Sequence, residues 1–419
     1  MKQIVFSRQY YVNELVKRMH NGMIKIITGL RRSGKSYLLF DLFRKYLLEN
    51  GVPENKIIAI QLDKIWFRRL RDPEFCFQYI QDRMKDGGMY YLLVDEIQLM
   101  TDFEELLNSY MGMPNVDVYV TGSNSRFLVT DVLTEFRGRG DEVRVFPLSV
   151  SELAEAFTEK SWEQLWQEYS YYGGLPQVVL TNDDTQKIKI LKSLFRTTYL
   201  KDIIDRYHIV QTEQFAQLAD IVASSIGSLT NPRKLQDTFS SKGQKLSDNT
   251  IRQYLDYLQD AFLLSEVKRY DIRGKQYIGS PYKYYFTDIG LRNALLNFRQ
   301  YEETHIMENI IYTELLRRGY SVDVGMVETV ETADGKKEHK RIEIDFVANR
   351  GSECFYVQSA FAMPSEDKIH QEARPLLKVH NSFKKIIVVK EPVIHRYSEQ
   401  GISIISLQQF LSDTDSLRL

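Results

Sequence analysis

The sequence predicts an α/β protein whose first part is a parallel sheet covered on both faces, and three observations carry that expectation. Short apolar runs at residues 23–28, 56–62, 90–94 and 116–121 alternate with stretches of helical apolar spacing. The first run passes through a glycine- and cation-rich octapeptide straight into a helix, in which Leu38, Leu39, Leu42, Phe43, Tyr46 and Leu47 recur at helical intervals. The chain has 419 residues, 43% hydrophobic and 26% charged. That is enough for two or three domains of roughly 150 residues and too apolar for a disordered chain.

Charge and cysteine content narrow the function classes. The 55 Lys and Arg nearly cancel the 56 Asp and Glu, so coating of nucleic acid or anionic membrane through overall charge is excluded. A local patch is not, because the first 45 residues carry ten Lys or Arg against only Glu14 and Asp41. Cys76 and Cys354 are too few and too far apart for a disulfide framework or a four-thiolate zinc site. No run approaches the ~18 apolar residues of a membrane span, and MKQIVFSRQYYVNEL lacks the apolar segment of a signal peptide. A cytoplasmic protein without membrane partners is expected.

The octapeptide Gly29-Leu30-Arg31-Arg32-Ser33-Gly34-Lys35-Ser36 fits G-x-x-x-x-G-K-[ST], the P-loop. Gly29 and Gly34 let the backbone wrap a phosphate so that successive N–H groups point inward, and the following helix, beginning near Tyr37, adds its dipole. Lys35 then supplies a cation to the β- and γ-phosphates of ATP, and the Ser36 hydroxyl ligates Mg²⁺. The third apolar run closes on Asp95-Glu96, delivering carboxylates to the edge of the sheet where the phosphate loop opens. Asp95 is the expected Mg²⁺ ligand and Glu96 the group that orients and deprotonates water. The fourth run ends in Thr121-Gly122-Ser123-Asn124-Ser125-Arg126, polar groups placed to sense a γ-phosphate or to form a ligand-free turn. Arg139, in Arg137-Gly138-Arg139, is read equally as a phosphate-stabilising arginine, within the subunit or across an interface, and as a surface residue.

Taken in order, GLRRSGKS, LLVDEIQ, TGSNSR, RGRG and FPLSVSEL resemble the prokaryotic AAA-type ATPases that carry a carboxyl-terminal domain of unknown function. The resemblance spans essentially the whole chain and implies ATP and Mg²⁺ as ligands, with self-association in view. Such proteins are similar to the signal-transduction ATPases with numerous domains, which share a Gly-x-Pro element; Gly174-Leu175-Pro176 matches it and implies that Pro176 lies against adenine. A plain helix break reads the same residues without a ligand.

Beyond the core, residues 150 to about 222 read as helical and 233–265 as short helices, followed by two strand-like runs at 264–270 and 282–287. Helices before a hairpin outline a winged helix-turn-helix. Its wing carries Lys268, Arg269, Tyr270, Arg273, Lys275, Tyr277 and Lys283, a mixture suited to DNA or RNA, although tyrosines along strands also pack a hairpin on its helices. Strands at 341–348, 354–360 and 385–390 with a helix near 366–378 resemble a restriction-endonuclease-like fold. Glu308 and Asp345 match two of that fold's metal ligands, but Gln358-Ser359-Ala360 stands where Glu-x-Lys is needed. Neutral Gln is a poor hard-metal ligand and Ala cannot place a cation, so cleavage is not expected. The expected divisions are a P-loop core at 1–149, a helical lid at 150–225, a winged helix at 226–300 and an inactive endonuclease-like domain at 301–419. An ATPase that moves the later modules is the leading reading, with a slow ATP-loaded switch or scaffold for a protein partner as the alternative.

Overall fold

The structure is a computed structural model and describes residues 4–123, 140–241, 245–333, 336–363 and 366–419. Two compact units divide the chain: Met1–Pro147 with Asp260–Phe262, and Leu148–Gln259 with Leu263–Leu419.

In the first unit five parallel strands, β1 (Ile24–Thr28), β2 (Ile57–Gln61), β3 (Tyr90–Asp95), β4 (Val116–Thr121) and β5 (Gly140–Arg144), lie in the order β2-β3-β4-β1-β5. Successive residues alternate between two cores. Ile24, Ile26, Leu92 and Val94 pack with Cys76, Ile80, Phe103 and Leu107 on one face. Ile27, Leu93 and Tyr119 pack with Tyr11, Leu15, Leu39 and Phe43 on the other. Burial on both faces is why the strands read as unbroken apolar runs. The fifth strand, GDEVR, is polar at an edge and carries no such signal. β1 sits between β4 and β5, so the loop leaving it opens at the carboxyl edge beside the ends of β3 and β4.

The second unit begins with helices, among them Val150–Ala156, Trp162–Tyr172, Asp184–Ser193 and Thr212–Ser224. It ends in an eight-stranded mixed sheet made of β6 (Leu264–Asp271), β7 (Gln276–Phe286), β8 (Ser321–Ala333), β9 (Lys336–Arg350), β10 (Glu353–Ala360), β11 (Lys384–Val389), β12 (Arg396–Tyr397) and β13 (Ser403–Ser406). The order is β12-β13-β11-β10-β9-β8-β6-β7. The hairpin read as a wing is thus the edge of this sheet: β6 pairs with β7 on one side and, in parallel, with β8 on the other. The boundary expected at residue 300 falls inside a continuous hydrogen-bonded layer. Among the described residues no helix is long and apolar enough to cross a membrane.

The Gly173-Gly174 break is a packing device. Gly174 N–H donates to the Asp288 carboxylate at 2.8 Å, and Leu148 N–H donates to Gly174 O at 2.8 Å. A Cβ on Gly174 would lie 2.1 Å from Leu148 O. Asp288 also accepts from Leu291 N–H at 3.1 Å, and its burial pushes the carboxyl up to about 6. Pro176 follows as the first residue of the short helix Pro176–Val179. It belongs to the second unit, where the glycines before it have this structural reason of their own.

Candidate nucleotide site

The octapeptide folds into a loop between β1 and a helical stretch at 35–49. Gly29 takes φ 128° and Gly34 φ 98°, and a Cβ at Gly29 would fall 2.1 Å from Val145 O. Only glycine fits there. Arg32 takes a positive φ of 64°. Leu30 and Ser33 are buried, whereas Arg31 and Arg32 are exposed. Among the described residues the buried Ser33 hydroxyl has no hydrogen-bond partner. Tyr37 is half-buried at the start of the helix.

Lys35 is 4% exposed and turns back into its own loop, donating to Gly29 O at 2.9 Å and Leu30 O at 3.0 Å. Burial lowers its ammonium to about 8, against the pull of Glu96 and Asp95. Ser36 Oγ donates to Asp95 Oδ1 at 3.1 Å, so hydroxyl and carboxylate meet although 59 residues separate them. Asp95 also accepts from the Thr121 hydroxyl. Burial raises its carboxyl above the usual range, with Thr121 and Ser36 opposing. The same Thr121 oxygen accepts from Glu96 N–H at 3.0 Å. Glu96 sits at φ 53° and its carboxylate accepts from Gln98. Residues 29–37, Asp95, Glu96 and Thr121 thus converge at one sheet edge. Asn124, Ser125, Arg126, Arg137 and Arg139 lie outside the described residues.

Arg8 was not singled out by sequence reasoning. Its guanidinium is 1% exposed and donates to Ser33 O at 2.7 Å and Phe146 O at 2.7 Å, bracing the phosphate loop against the strand exit after β5. The excess of cations in the first 45 residues is the one signal that covered it, and that signal names no residue.

The second unit gathers its own buried charges. Lys283, read from sequence as a wing cation, is 4% exposed and reaches Glu308 at 2.7 Å, Glu343 at 2.5 Å and Asp345 at 3.9 Å. It lies in the inner end of β7, where residues 283–286 are all buried, which removes it from any phosphate-binding face. Arg269 is corrected likewise: it is 8% exposed and donates to Gly279 O and Ser280 O, both at 2.9 Å. Lys268, Arg273, Lys275 and Tyr277 stay exposed. Burial works to raise the Glu308 carboxyl, yet Lys283, His305 and Tyr285 hold it down, to about 2. Burial beside Glu308 pushes Asp345 up to about 8. Gln358 accepts weakly from Asp345 N–H at 3.4 Å, and Ser359 N–H donates to Asp345 at 2.8 Å. Among the described residues no group of three or more His, Cys, Asp or Glu is arranged to hold a metal. The Lys283 ammonium sits among the carboxylates instead.

Residues 21–154 match the model of an AAA domain, and residues 163–302 match a domain of unknown function, DUF8612. An uncharacterized protein of Haemophilus influenzae is 34% identical over 98% of this chain and 100% of its own length. One from Methanocaldococcus jannaschii is 23% identical over 92% of this chain and 84% of its own. The solved structure of a Walker-type ATPase from Pyrococcus abyssi superposes with a TM-score of 0.51 at 17% identity, covering 70% of this chain and 96% of that one, a likeness of fold. The phosphate loop, the acidic strand end and the end-to-end match to the Haemophilus protein lead to one conclusion: the chain belongs with that protein to a single family, whose amino-terminal part here is an AAA domain of the P-loop ATPase fold.

Proposed function

We propose that the protein binds ATP with Mg²⁺ at residues 29–37 and hydrolyses it, the nucleotide state acting on the second unit. The observation that supports this most directly is the Ser36–Asp95 contact at 3.1 Å beside a loop whose lysine is bonded to carbonyls of that same loop. Those carbonyls are neutral partners that an anionic phosphate outcompetes. The loop N–H groups and Lys35 would hold the phosphates, while the Ser36 hydroxyl and the Asp95 carboxylate, both hard oxygen donors, suit Mg²⁺. When bound, Mg²⁺ neutralises charge on the transferring phosphoryl group. Glu96 orients and deprotonates the attacking water, Arg139 stabilises phosphate charge, and Pro176 lies against adenine.

In the second unit, the lid at 150–225, with the winged-helix pattern at 226–300 and the inactive endonuclease-like module at 301–419 joined through one sheet, completes the reading. The exposed Lys268, Arg273 and Lys275 are the cations left to meet DNA or RNA. The deciding experiment is Glu96→Gln, which keeps ATP binding and lowers turnover by about a hundredfold or more. Equal turnover in wild type and variant removes Glu96 as the base. Tight binding with negligible turnover in the wild type itself favours the switch over the motor.

A further inference from the structure

A second concave site lies wholly within the second unit. It is a cleft of about 1250 Å³ between the Trp162–Tyr172 helix and the chain around Phe361 and Lys390. Its wall is aromatic. Trp162 and Trp166 stack with centroids 6.4 Å apart at 23°, and Tyr171 lies 5.8 Å from Tyr301, which is 40% exposed. Its lining carries five carboxylates and one ammonium, and two of the carboxylates, Glu168 and Asp184, are paired with Lys160 and Lys187 behind the wall.

That one ammonium shows what the lining accepts. Lys390 is seated between the Glu303 carboxylate and the face of Phe361, 4.6 Å from the ring centroid. A ring face and a carboxylate acting together are the elements of cation recognition. Two further carboxylates, Glu163 and Glu391, border the same cleft, are exposed, and form no ion pair among the described residues. They are the unspent half of the arrangement that Glu303 completes with Lys390.

From this we infer that the cleft binds a cationic peptide segment of a partner protein, with arginine side chains laid on the Trp162 and Tyr301 rings and paired to Glu163 and Glu391. The volume exceeds what one side chain or a drug-sized ligand fills, so several residues of a segment enter together. Guanidinium suits the site better than ammonium because it stacks flat on rings and bonds carboxylates through two donors. The same carboxylates repel phosphates, which sets the cleft apart from any nucleic-acid surface on the β6–β7 hairpin.

Two of the three tryptophans line the cleft, and the third, Trp66, is 70% exposed in the first unit. The Trp66→Phe full-length protein therefore reports cleft occupancy by its emission. Titration is made with an alternating arginine–alanine peptide, the glutamate–alanine counterpart and a single-stranded DNA oligonucleotide. The arginine peptide alone is expected to shift the emission, with affinity that weakens as salt rises. Glu163→Gln with Glu391→Gln weakens it about tenfold, the sum of two exposed ion pairs, and leaves the melting temperature unchanged. Tyr301→Ala weakens it further through the lost ring face. Three results overturn the proposal: no response to the arginine peptide, equal affinity in the double-Gln variant, or preferential binding of the glutamate peptide or the oligonucleotide.

Discussion

Of the lysines that the protein buries beside acidic groups, Lys35 and Lys283 are handled in opposite ways. Lys35 is bonded to neutral carbonyls of its own loop, and burial brings its ammonium down to about 8. Lys283 is bonded to carboxylates, and despite its burial they raise it above the usual range. A buried cation satisfied by carbonyls keeps a full charge to offer an incoming anion. One satisfied by carboxylates has already met its counter-ions and is part of the fold. With Lys35 proposed to meet phosphate, the difference separates a binding group from a structural one.

The largest test of that contrast is Lys283→Ala. Removing the cation leaves Glu308, Glu343 and Asp345 without it, and the second unit should lose about 3–5 kcal/mol. Denaturation followed by Trp162 and Trp166 emission on the Trp66→Phe background reads this directly. A change below about 1 kcal/mol would mean that water already screens the cluster. Lys35→Ala should do the reverse. Melting is unchanged or slightly raised, because a costly buried charge is gone, while affinity for a fluorescent ATP analogue falls by about a hundredfold, near 2.7 kcal/mol. A Lys35 variant that unfolds would erase the distinction.

The pH dependence sharpens it next. Asp345 has an ordinary carboxyl value of 3.8 and a folded value of about 8. The stability its bound proton contributes is therefore complete below the unfolded value and is lost as pH rises through the folded one. Stability, followed as the melting temperature, should fall between about pH 4 and pH 8 in the wild type, and less in Asp345→Asn. Parallel slopes would place the proton elsewhere. The smallest effect expected is that of Arg8→Lys. It keeps the charge but loses the fork that spans Ser33 O and Phe146 O, loosening the loop and weakening nucleotide affinity by about tenfold or less.

How much of this was legible in the sequence follows from distance along the chain. The loop at 29–36 and the Asp95-Glu96 strand end were readable as elements because each sits in one short segment, with glycines at positions only glycine tolerates. Strands β1 to β4 were readable because burial on both faces writes continuous apolar runs, whereas β5 was missed because a polar edge strand writes none. Arg8 was missed because its partners are backbone oxygens, one of them 138 residues away, and a carbonyl has no residue type to recognise. Lys283 was misassigned for a related reason. On an isolated hairpin its neighbours in sequence make it a wing cation, but once β6 pairs with β8 it is enclosed by Glu308 of the 303–317 helix and by Glu343 and Asp345 of β9, partners that lie far along the chain.

That pairing also governs where the polypeptide can be cut. Strands β1 to β5 all lie before residue 145, so the first sheet has every strand it needs early in synthesis. The hairpin at 264–286 does not. Until the Glu303–Arg317 helix and β8 and β9 follow, β6 has an open edge and Lys283 lacks Glu308, Glu343 and Asp345. A fragment ending near residue 300 would carry a sticky strand and an unmatched ammonium on what becomes the interior. Expression boundaries drawn around the winged-helix pattern alone would therefore yield aggregates, and the smallest sound piece of the second half runs through β13.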